Sequence, residues 1–201
     1  MQFKTFLFTI SYVFFCTAFV VYPAFCEEIV IYDFEEDAQE WQIPDWAKGN
    51  EDYVGSDLTL SKEHSSALRV FADFPGTGVW KGVYIERVMD VTDWSDFASI
   101  KADIFLPEDA PEGVGGRFIF TLGDDWVWTE MNRPLSLKPG EWTTISASIL
   151  PDSMDWRYFL TDEFRKDIRK IGIRIETITH TAAYSGPLYI DNIRVCSERE
   201  D

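Results

Sequence analysis

A two-residue alternation of apolar and polar side chains is the feature that most constrains this fold. The stretch 100–106 (IKADIFL) has an aliphatic residue at every second position, which in a β-strand puts all of them on one face. The same period recurs in 117–122 and 171–176, and turns rich in Gly and Pro, such as Pro107–Gly116, separate such stretches. A helical turn is favoured only in the charged stretch 161–170. Many short alternating strands with almost no helix predict an all-β protein, an antiparallel β-sandwich.

The first 26 residues differ in composition from the rest of the chain. The run Phe6–Val21 is almost wholly apolar, and the small residues Ala24 and Cys26 precede the acidic Glu27. This pattern predicts an export signal peptide over residues 1–26 with cleavage before Glu27. An uncleaved anchor is the alternative, because the uncharged run is nearly long enough to span a bilayer.

The remaining residues, 27–201, form one predicted domain, since they show no internal repeat, linker or low-complexity segment. With its leader, this domain is predicted to be secreted or extracytoplasmic, in the periplasm or at the cell surface. The formal net charge of the chain is −17, which argues against nucleic acid as a partner, and against a membrane surface unless the leader is retained as an anchor. Such acidity suits a protein that meets neutral glycans or binds calcium, and it is equally explained by solubility alone.

Cysteine usage sets a further expectation. The chain has three cysteines, and Cys16 and Cys26 both lie in the predicted leader. Cleavage before Glu27 would leave Cys196 as the single cysteine of the mature domain, so we expect no intramolecular disulfide.

The stretch 124–131 (DDWVWTEM) carries the first functional signal. Interpreted as a strand, it puts Trp126, Trp128 and Glu130 on one face, while Val127 and Met131 on the other face fit the core. Indoles left exposed on a strand are costly unless they bind something. A pyranose ring is a suitable partner because its apolar C–H face stacks on an indole. The alternative is that a loop covers the two rings.

Other strands have the same property when their aliphatic residues are assigned to the core. Their outward residues are aromatic or charged: Trp80, Tyr84, Glu86, Asp103, Phe105, Arg117, Arg174 and Glu176. If these strands belong to one sheet, the residues form the floor of a ligand-binding groove with aromatic platforms. Carboxylate and guanidinium groups can bind vicinal hydroxyl pairs in a bidentate way. The alternative is a solvated face with cross-strand ion pairs.

Several motifs resemble one known group of proteins. In chain order they are IYDFEEDAQEW, SSALRVFADF, DVTDWSDFASIKADIFLP, LKPGEWTTISASI and IRKIGIRIE followed by SGPLYIDNIRV. They resemble jelly-roll carbohydrate-binding modules with the galactose-binding-like fold, over essentially all of the predicted mature chain. The spread of Trp46, Trp80 and the Trp126/Trp128 pair is most similar to mannan-binding modules. The resemblance implies non-catalytic binding of a polysaccharide of the β-mannan or β-glucan type, with a separate glycoside hydrolase as a further partner.

The resemblance also implies a structural calcium ion. In such modules the glutamate of the first strand and the aspartate of the last strand meet at one end of the sandwich with backbone carbonyls. By motif these residues are Glu35 and Asp191, and hard oxygen ligands suit calcium rather than zinc. The alternative is that Asp191 and Asn192 merely terminate a strand.

Two other functional classes remain open from the sequence. Glu86, Glu130 and Glu176 lie on different strands, so two of them could face each other as the acid and its ionised partner of a glycoside hydrolase or lyase. His64 and His180 have no recognisable Ser or Cys nucleophile beside them, so we interpret both as surface residues. A cell-surface structural or protein-interaction domain is the other alternative. We predict a binding module with no catalytic residues.

Overall fold

A computed structural model describes residues 27–63 and 66–197 and places them in two antiparallel sheets packed face to face. The strands are β1 (Glu28–Tyr32), β2 (Gly55–Ser61), β3 (Ala67–Pro75), β4 (Gly82–Val88), β5 (Phe97–Leu106), β6 (Val114–Leu122), β7 (Val127–Glu130), β8 (Leu135–Ser136), β9 (Glu141–Ser148), β10 (Ile168–Thr177) and β11 (Ala183–Ser197). The predicted β-sandwich is therefore confirmed. The predicted leader and His64 lie outside the described residues.

Each sheet has its own strand order. The six-stranded sheet runs β2-β3-β11-β5-β9, with β1 also paired to β11, and the five-stranded sheet runs β4-β10-β6-β7, with β8 also paired to β6. The long strand β11 pairs through Ala183–Ile190 with β3 and through its later residues with β1. All of these pairings are antiparallel, so neighbouring strands share faces residue by residue.

The core lies between the two sheets and is filled by the alternating residues that the sequence assigned to it. Ile100, Ile104 and Leu106 of β5 are fully buried, as are Phe118 and Phe120 of β6. Burying each of these side chains contributes about 1.5–3 kcal/mol to folding relative to leaving it exposed. The alternation therefore predicted correctly which face of each of these strands packs inward.

The stretch 124–131, predicted to be a strand throughout, differs from that prediction at its N-terminal end. Strand β7 begins at Val127, and Trp126 lies before it with a left-handed backbone (φ 54°). Its amide donates to the carbonyl of Gly123 at 3.1 Å, which closes a turn. A left-handed backbone interrupts the regular side-to-side alternation of a strand. The prediction that Trp126 shares a strand face with Trp128 and Glu130 is therefore wrong.

The predicted helical turn is present but short. Helix α1 spans Asp162–Arg165 and begins at Thr161, whose hydroxyl accepts a hydrogen bond from the amide of Phe164 at 3.2 Å. Such a side-chain cap satisfies one of the free amides at the start of a helix. No helix among residues 27–63 and 66–197 is long and apolar enough to cross a membrane.

The expectation about cysteine is wrong. Cys196, near the end of β11, is disulfide-bonded. The two other cysteines of the chain, Cys16 and Cys26, lie outside the described residues. An intramolecular disulfide to Cys196 and cleavage immediately before Glu27 exclude each other, because that cleavage would remove both remaining cysteines.

Candidate functional site

The outward face of the five-stranded sheet collects seven of the ten predicted ligand-binding residues. Arg174 of β10 lies opposite Tyr84 of β4 on one side and opposite Arg117 of β6 on the other. The other four predicted residues lie on the same face, two positions apart along their strands. They are Glu86 of β4, Glu176 of β10, and Trp128 and Glu130 of β7. We call this surface the groove face. The sequence prediction that these residues share one sheet face is confirmed for them.

Asp103 does not lie on the groove face, so the prediction that it shares one sheet face with the other residues is wrong. Its strand, β5, lies in the six-stranded sheet between β11 and β9. The Asp103 carboxylate accepts hydrogen bonds from Arg194 Nη1 at 2.9 Å and from the Thr144 hydroxyl at 2.6 Å. Phe105, two residues on, lies in the same sheet and contacts the ring of Trp142 at 5.5 Å between centroids. Alternation predicted correctly that both side chains point away from the core. It could not predict which of the two sheets carries them.

Five rings form a continuous layer on the groove face, which we call the aromatic cluster: Trp46, Tyr53, Trp80, Tyr84 and Trp128. Ring centroids lie 5.1 Å apart for Trp46 and Tyr84, 5.3 Å for Tyr84 and Trp128, and 5.7 Å for Tyr53 and Trp80. Trp46 remains 46% exposed, whereas Tyr84 is buried beneath its neighbours. Tilted and edge-to-face contacts at these separations are favourable for aromatic rings. The outer rings therefore offer apolar surface to a ligand while Tyr84 supports them from below.

A glycine makes room for the buried ring. A Cβ atom on Gly172 would lie 2.4 Å from Tyr84 Cε2, so any larger residue would displace that ring. The Tyr84 hydroxyl donates to Glu86 Oε2 at 3.1 Å, and Lys170 Nζ lies 2.7 Å from Glu86 Oε1. Burial raises the pKa of Tyr84, and the Glu86 charge raises it further. The phenol therefore keeps its proton and fixes the ring to the sheet.

Beneath the rings lies a buried ionic network of four side chains: Arg117, Glu130, Arg174 and Glu176. Arg174 Nη2 is 2.6 Å from Glu130 Oε2, and Arg174 Nε is 2.6 Å from Glu176 Oε2. Arg117 completes the network by pairing with both glutamates. Burial alone would lower the pKa of Arg174, but the charges of Glu176 and Glu130 outweigh it and raise that pKa. The cross-strand ion pairs that the sequence left as an alternative are thus present here.

The network and the aromatic cluster are in contact. The guanidinium carbon of Arg174 lies 5.2 Å from the centroid of the Trp80 ring, a cation–π distance. Trp80 itself precedes β4, which begins at Gly82. A ligand approaching this face would meet the outer rings before it met the buried charges.

Trp126 lies apart from the cluster. Its ring is 52% exposed and lies 5.6 Å from both the Arg169 guanidinium and Lys170 Nζ. Lys170 also pairs with Glu86 of the groove face. The indole is therefore held by two cations at one end of the groove, outside the strand that the sequence predicted for it.

A cavity of about 720 Å³ opens where the groove face passes the edge of β7. We call it the edge pocket. It is lined by Trp128, Thr129, Glu130, Asn132, Arg157 and Tyr158. The side chain of Arg157 is 57% exposed and pairs with Glu130 at 2.8 Å, and Tyr158 is 63% exposed.

Alternation alone does not identify four of the residues around this site. Trp46 lies in a turn, Tyr53 in an isolated bridge, and Arg157 and Tyr158 in the connection after β9. Only the family resemblance singled out Trp46. The sequence does contain a signal for Arg157 and Tyr158, namely the aromatic run WRYF at 156–159 in an otherwise polar connection.

The predicted calcium ligands lie on the other side of the sandwich. Asp191 is buried on β11 and accepts the amide of Asn192 at 2.7 Å, while Glu35 is exposed. Burial raises the pKa of Asp191 to about 6; the Asn192 hydrogen bond opposes this shift, and the charges of Asp103, Glu35 and Asp33 add to it. In the described part of the chain, no three or more His, Cys, Asp and Glu side chains come together as a metal site.

A ring-lined sheet face on a jelly-roll-like sandwich is the architecture of a carbohydrate-binding module. The sequence profile of the family described as carbohydrate binding module 27 matches residues 22–198. The chain therefore belongs to carbohydrate-binding module family 27. Family membership confirms the predicted carbohydrate-binding module and a non-catalytic role. No curated protein sequence matches this chain.

Solved structures of such modules have the same fold. The family 27 module CBM27-1 of Caldicellulosiruptor saccharolyticus, solved with mannohexaose, is 17% identical with a TM-score of 0.59, over 87% of this chain and 99% of that one. A family 28 module specific for non-crystalline cellulose is 14% identical with a TM-score of 0.62, over 86% and 96%. The family 11 module of Clostridium thermocellum, solved with a β-1,3-1,4-mixed-linked tetrasaccharide, is 18% identical with a TM-score of 0.55, over 87% and 98%. At these identities the similarity shows the shared fold.

Proposed function

We propose that the groove face binds a β-linked polysaccharide of the mannan or glucan type. The aromatic cluster carries this proposal, because its rings form one layer across the outward face of a single sheet. Pyranose rings of a β-linked chain have apolar C–H faces that stack on indoles. Two of the similar modules were solved with mannohexaose and with a mixed-linked β-glucan tetrasaccharide, which supports this ligand class. A glycoside hydrolase is the proposed functional partner, which such a module would hold near its substrate.

Rings and charges have different roles in this proposal. The partly exposed rings of Trp46, Trp80 and Trp128 supply most of the affinity by burying sugar faces. The ionic network fixes the sheet beneath them, and in this proposal Glu86, Arg117, Glu130 and Arg174 set the orientation of the bound chain. Trp126 extends the platform at one end.

Affinity gel electrophoresis against mannans, β-glucans and xylans tests the proposal. We expect the wild-type protein to be retarded by one of the first two. Trp80→Ala and Trp128→Ala should each remove most of that retardation while thermal melts show a folded protein. A wild-type protein that no polysaccharide retards, together with variants that all unfold, would contradict the proposal and favour a structural role for the rings.

Residues 1–26 are the basis for proposing export. The disulfide of Cys196 adds a second quantity to the test, because it shows whether a cysteine of these residues is retained. The intact mass of secreted protein, measured before and after reduction and alkylation, gives both the first residue and the number of paired cysteines. A processed chain that begins upstream of Cys26 and carries one disulfide would agree with export and with the Cys196 bond. A chain that begins at Glu27 would exclude the disulfide, and unprocessed chain in the membrane would favour the anchor.

A calcium ion at Glu35 and Asp191 is the proposed cofactor. Burial raises the pKa of the Asp191 carboxyl, and the charges of Asp103, Glu35 and Asp33 raise it further, so that negative charge gathers where a hard cation would fit. Because the described residues supply no larger carboxylate group, backbone carbonyls would provide most of the other ligands. The ion would neutralise these carboxylates and stabilise that end of the sandwich.

A further inference from the structure

The five-stranded sheet continues beyond β7. The amide of Asn132 donates to the Asp155 carbonyl at 2.7 Å, and the amide of Arg157 donates to the Glu130 carbonyl at 2.9 Å. Between them, Met131 and Trp156 form an antiparallel bridge. Residues 155–158, which we call the edge segment, therefore extend the groove face by one more chain.

The edge segment is firmly attached. Trp156 is buried, stacks on Phe120 with centroids 4.4 Å apart, and donates its indole N–H to the Ser148 carbonyl at 2.7 Å. Next to it, the Thr129 hydroxyl lies 3.2 Å from both the amide and the carbonyl oxygen of Tyr158. These contacts fix the backbone of the segment before any ligand binds, which lowers the entropy cost of binding there.

Trp156 and Arg157 point to opposite sides of the segment, and the chain bends at Arg157 and Tyr158. With Trp156 in the core, Arg157 points to the groove face, where its guanidinium reaches Glu130 Oε1 at 2.8 Å. The same carboxylate also binds Arg117 and Arg174, which are buried, whereas the Arg157 side chain is 57% exposed. A guanidinium has five N–H donors in a planar fork. Arg157 therefore has donors to spare for a ligand without giving up Glu130.

The edge pocket has room for a sugar between two rings. Its volume of about 720 Å³ lies within the range of about 300–1,000 Å³ that is typical of small-ligand sites. Trp128, which belongs to the aromatic cluster, lines it together with the exposed Tyr158. The pocket is thus continuous with the groove face rather than a separate site.

We propose that the edge pocket is an additional sugar subsite, so that this module binds long β-linked chains more tightly than short ones. Tyr158 stacks on one pyranose ring, and Arg157 donates to a pair of vicinal hydroxyls on it. The inference rests on the proposed function of the groove face. It adds two specificity-determining residues, from a connection outside the regular strands.

Isothermal titration with oligosaccharides of two lengths tests the subsite. The probes are mannotetraose and mannohexaose, with cellotetraose and cellohexaose as the second series. We expect the wild-type protein to prefer the hexasaccharide of one series. Tyr158→Ala and Arg157→Ala should each lower hexasaccharide affinity by about tenfold, the effect of losing a moderate interface contact. Tetrasaccharide affinity should stay within about twofold.

Three controls separate the outcomes. Phe159→Ala removes a neighbouring ring that is 51% exposed and does not line the pocket, so it should change neither affinity. Arg157→Lys keeps the charge but loses the planar fork, so it should behave like Arg157→Ala. Trp128→Ala should weaken both lengths.

Equal wild-type affinity for both lengths, with Trp128 still required, would overturn the subsite and leave the proposed function standing. Equal losses for both lengths in Tyr158→Ala would also overturn it. A wild-type protein that binds neither series would overturn both proposals.

Discussion

The two outward faces of the sandwich are built alike in sequence but differ in structure. Both alternate polar and aromatic residues against a core of aliphatic ones. On the six-stranded sheet, the Asp103–Arg194 ion pair stays partly exposed, and Trp142 is 39% exposed. On the five-stranded sheet, the rings of Trp46 and Tyr53 come from a connection outside the strands and lie over the face. Covering loops, rather than alternation, therefore turn a sheet face into a candidate groove.

The covering layer also changes the energetics of the charges. Glu130 and Glu176 are buried, so each depends on its arginine partners in a medium of low dielectric constant. Removing one partner of a buried pair leaves an uncompensated charge and is strongly destabilising. Ion pairs that water still reaches contribute little. The same residue types should therefore respond differently to mutation on the two faces.

The largest effect on stability is expected from a substitution that breaks the ionic network. Glu176→Ala should lower the free energy of unfolding by about 3–5 kcal/mol, because Arg117 and Arg174 both lose a buried partner. Asp103→Ala on the other sheet should cost about 1 kcal/mol or less, since Arg194 keeps Glu28 at 3.1 Å. Chemical denaturation of both variants measures the difference. Equal losses would mean that the two faces are energetically alike.

Removing calcium is expected to have a smaller effect on stability, and this effect should arise only at the end of the sandwich near Asp191 of the six-stranded sheet. A ligand at one hundred times its dissociation constant stabilises the native state by about 2.7 kcal/mol, so a chelator should lower the melting temperature by several degrees. Glu35→Ala and Asp191→Ala should abolish the dependence on calcium, whereas Asp73→Ala, an exposed carboxylate on β3, should keep it. Identical melting curves with chelator and with calcium would remove the proposed site.

The smallest effect concerns the end of the groove. Trp126→Ala should lower glycan affinity by about fivefold, or about 1 kcal/mol, because the ring lies outside the aromatic cluster and is already engaged by Arg169 and Lys170. The melting temperature should hardly change, since the ring is largely exposed. Titration against the same oligosaccharide used for Trp128→Ala measures it. A loss as large as that of Trp128→Ala would place Trp126 within the main platform.

Much of the fold could be predicted from the sequence, because period-two alternation is a local property. Ile104 and Phe118 were assigned to the core correctly, and Arg174 and Glu176 were assigned correctly to one outward face. Sheet membership depends on strand order, which is not local. Asp103 was therefore predicted on the wrong sheet although its direction was right.

The parts of the site that the sequence did not reveal come from irregular chain. The backbone of Trp126 turns left-handed just before β7, and no periodic pattern signals that change. Arg157 reaches the groove face because the edge segment hydrogen-bonds to β7, a pairing set by tertiary contacts such as the stacking of Trp156 on Phe120. The disulfide of Cys196 was missed for a different reason, because the assumed cleavage removed its possible partners.

Replacing one tryptophan on each outward face tests whether the glycan binds to the five-stranded sheet. Isothermal titration with mannohexaose, or with the β-glucan oligosaccharide that binds best, should show that Trp128→Ala lowers affinity by about 30-fold, or about 2 kcal/mol. Trp142→Ala, which removes a partly exposed ring from the six-stranded sheet, should leave affinity within about twofold, with both variants folded. Loss of binding in Trp142→Ala and not in Trp128→Ala would contradict glycan binding at the groove face and place the glycan on the opposite face of the sandwich.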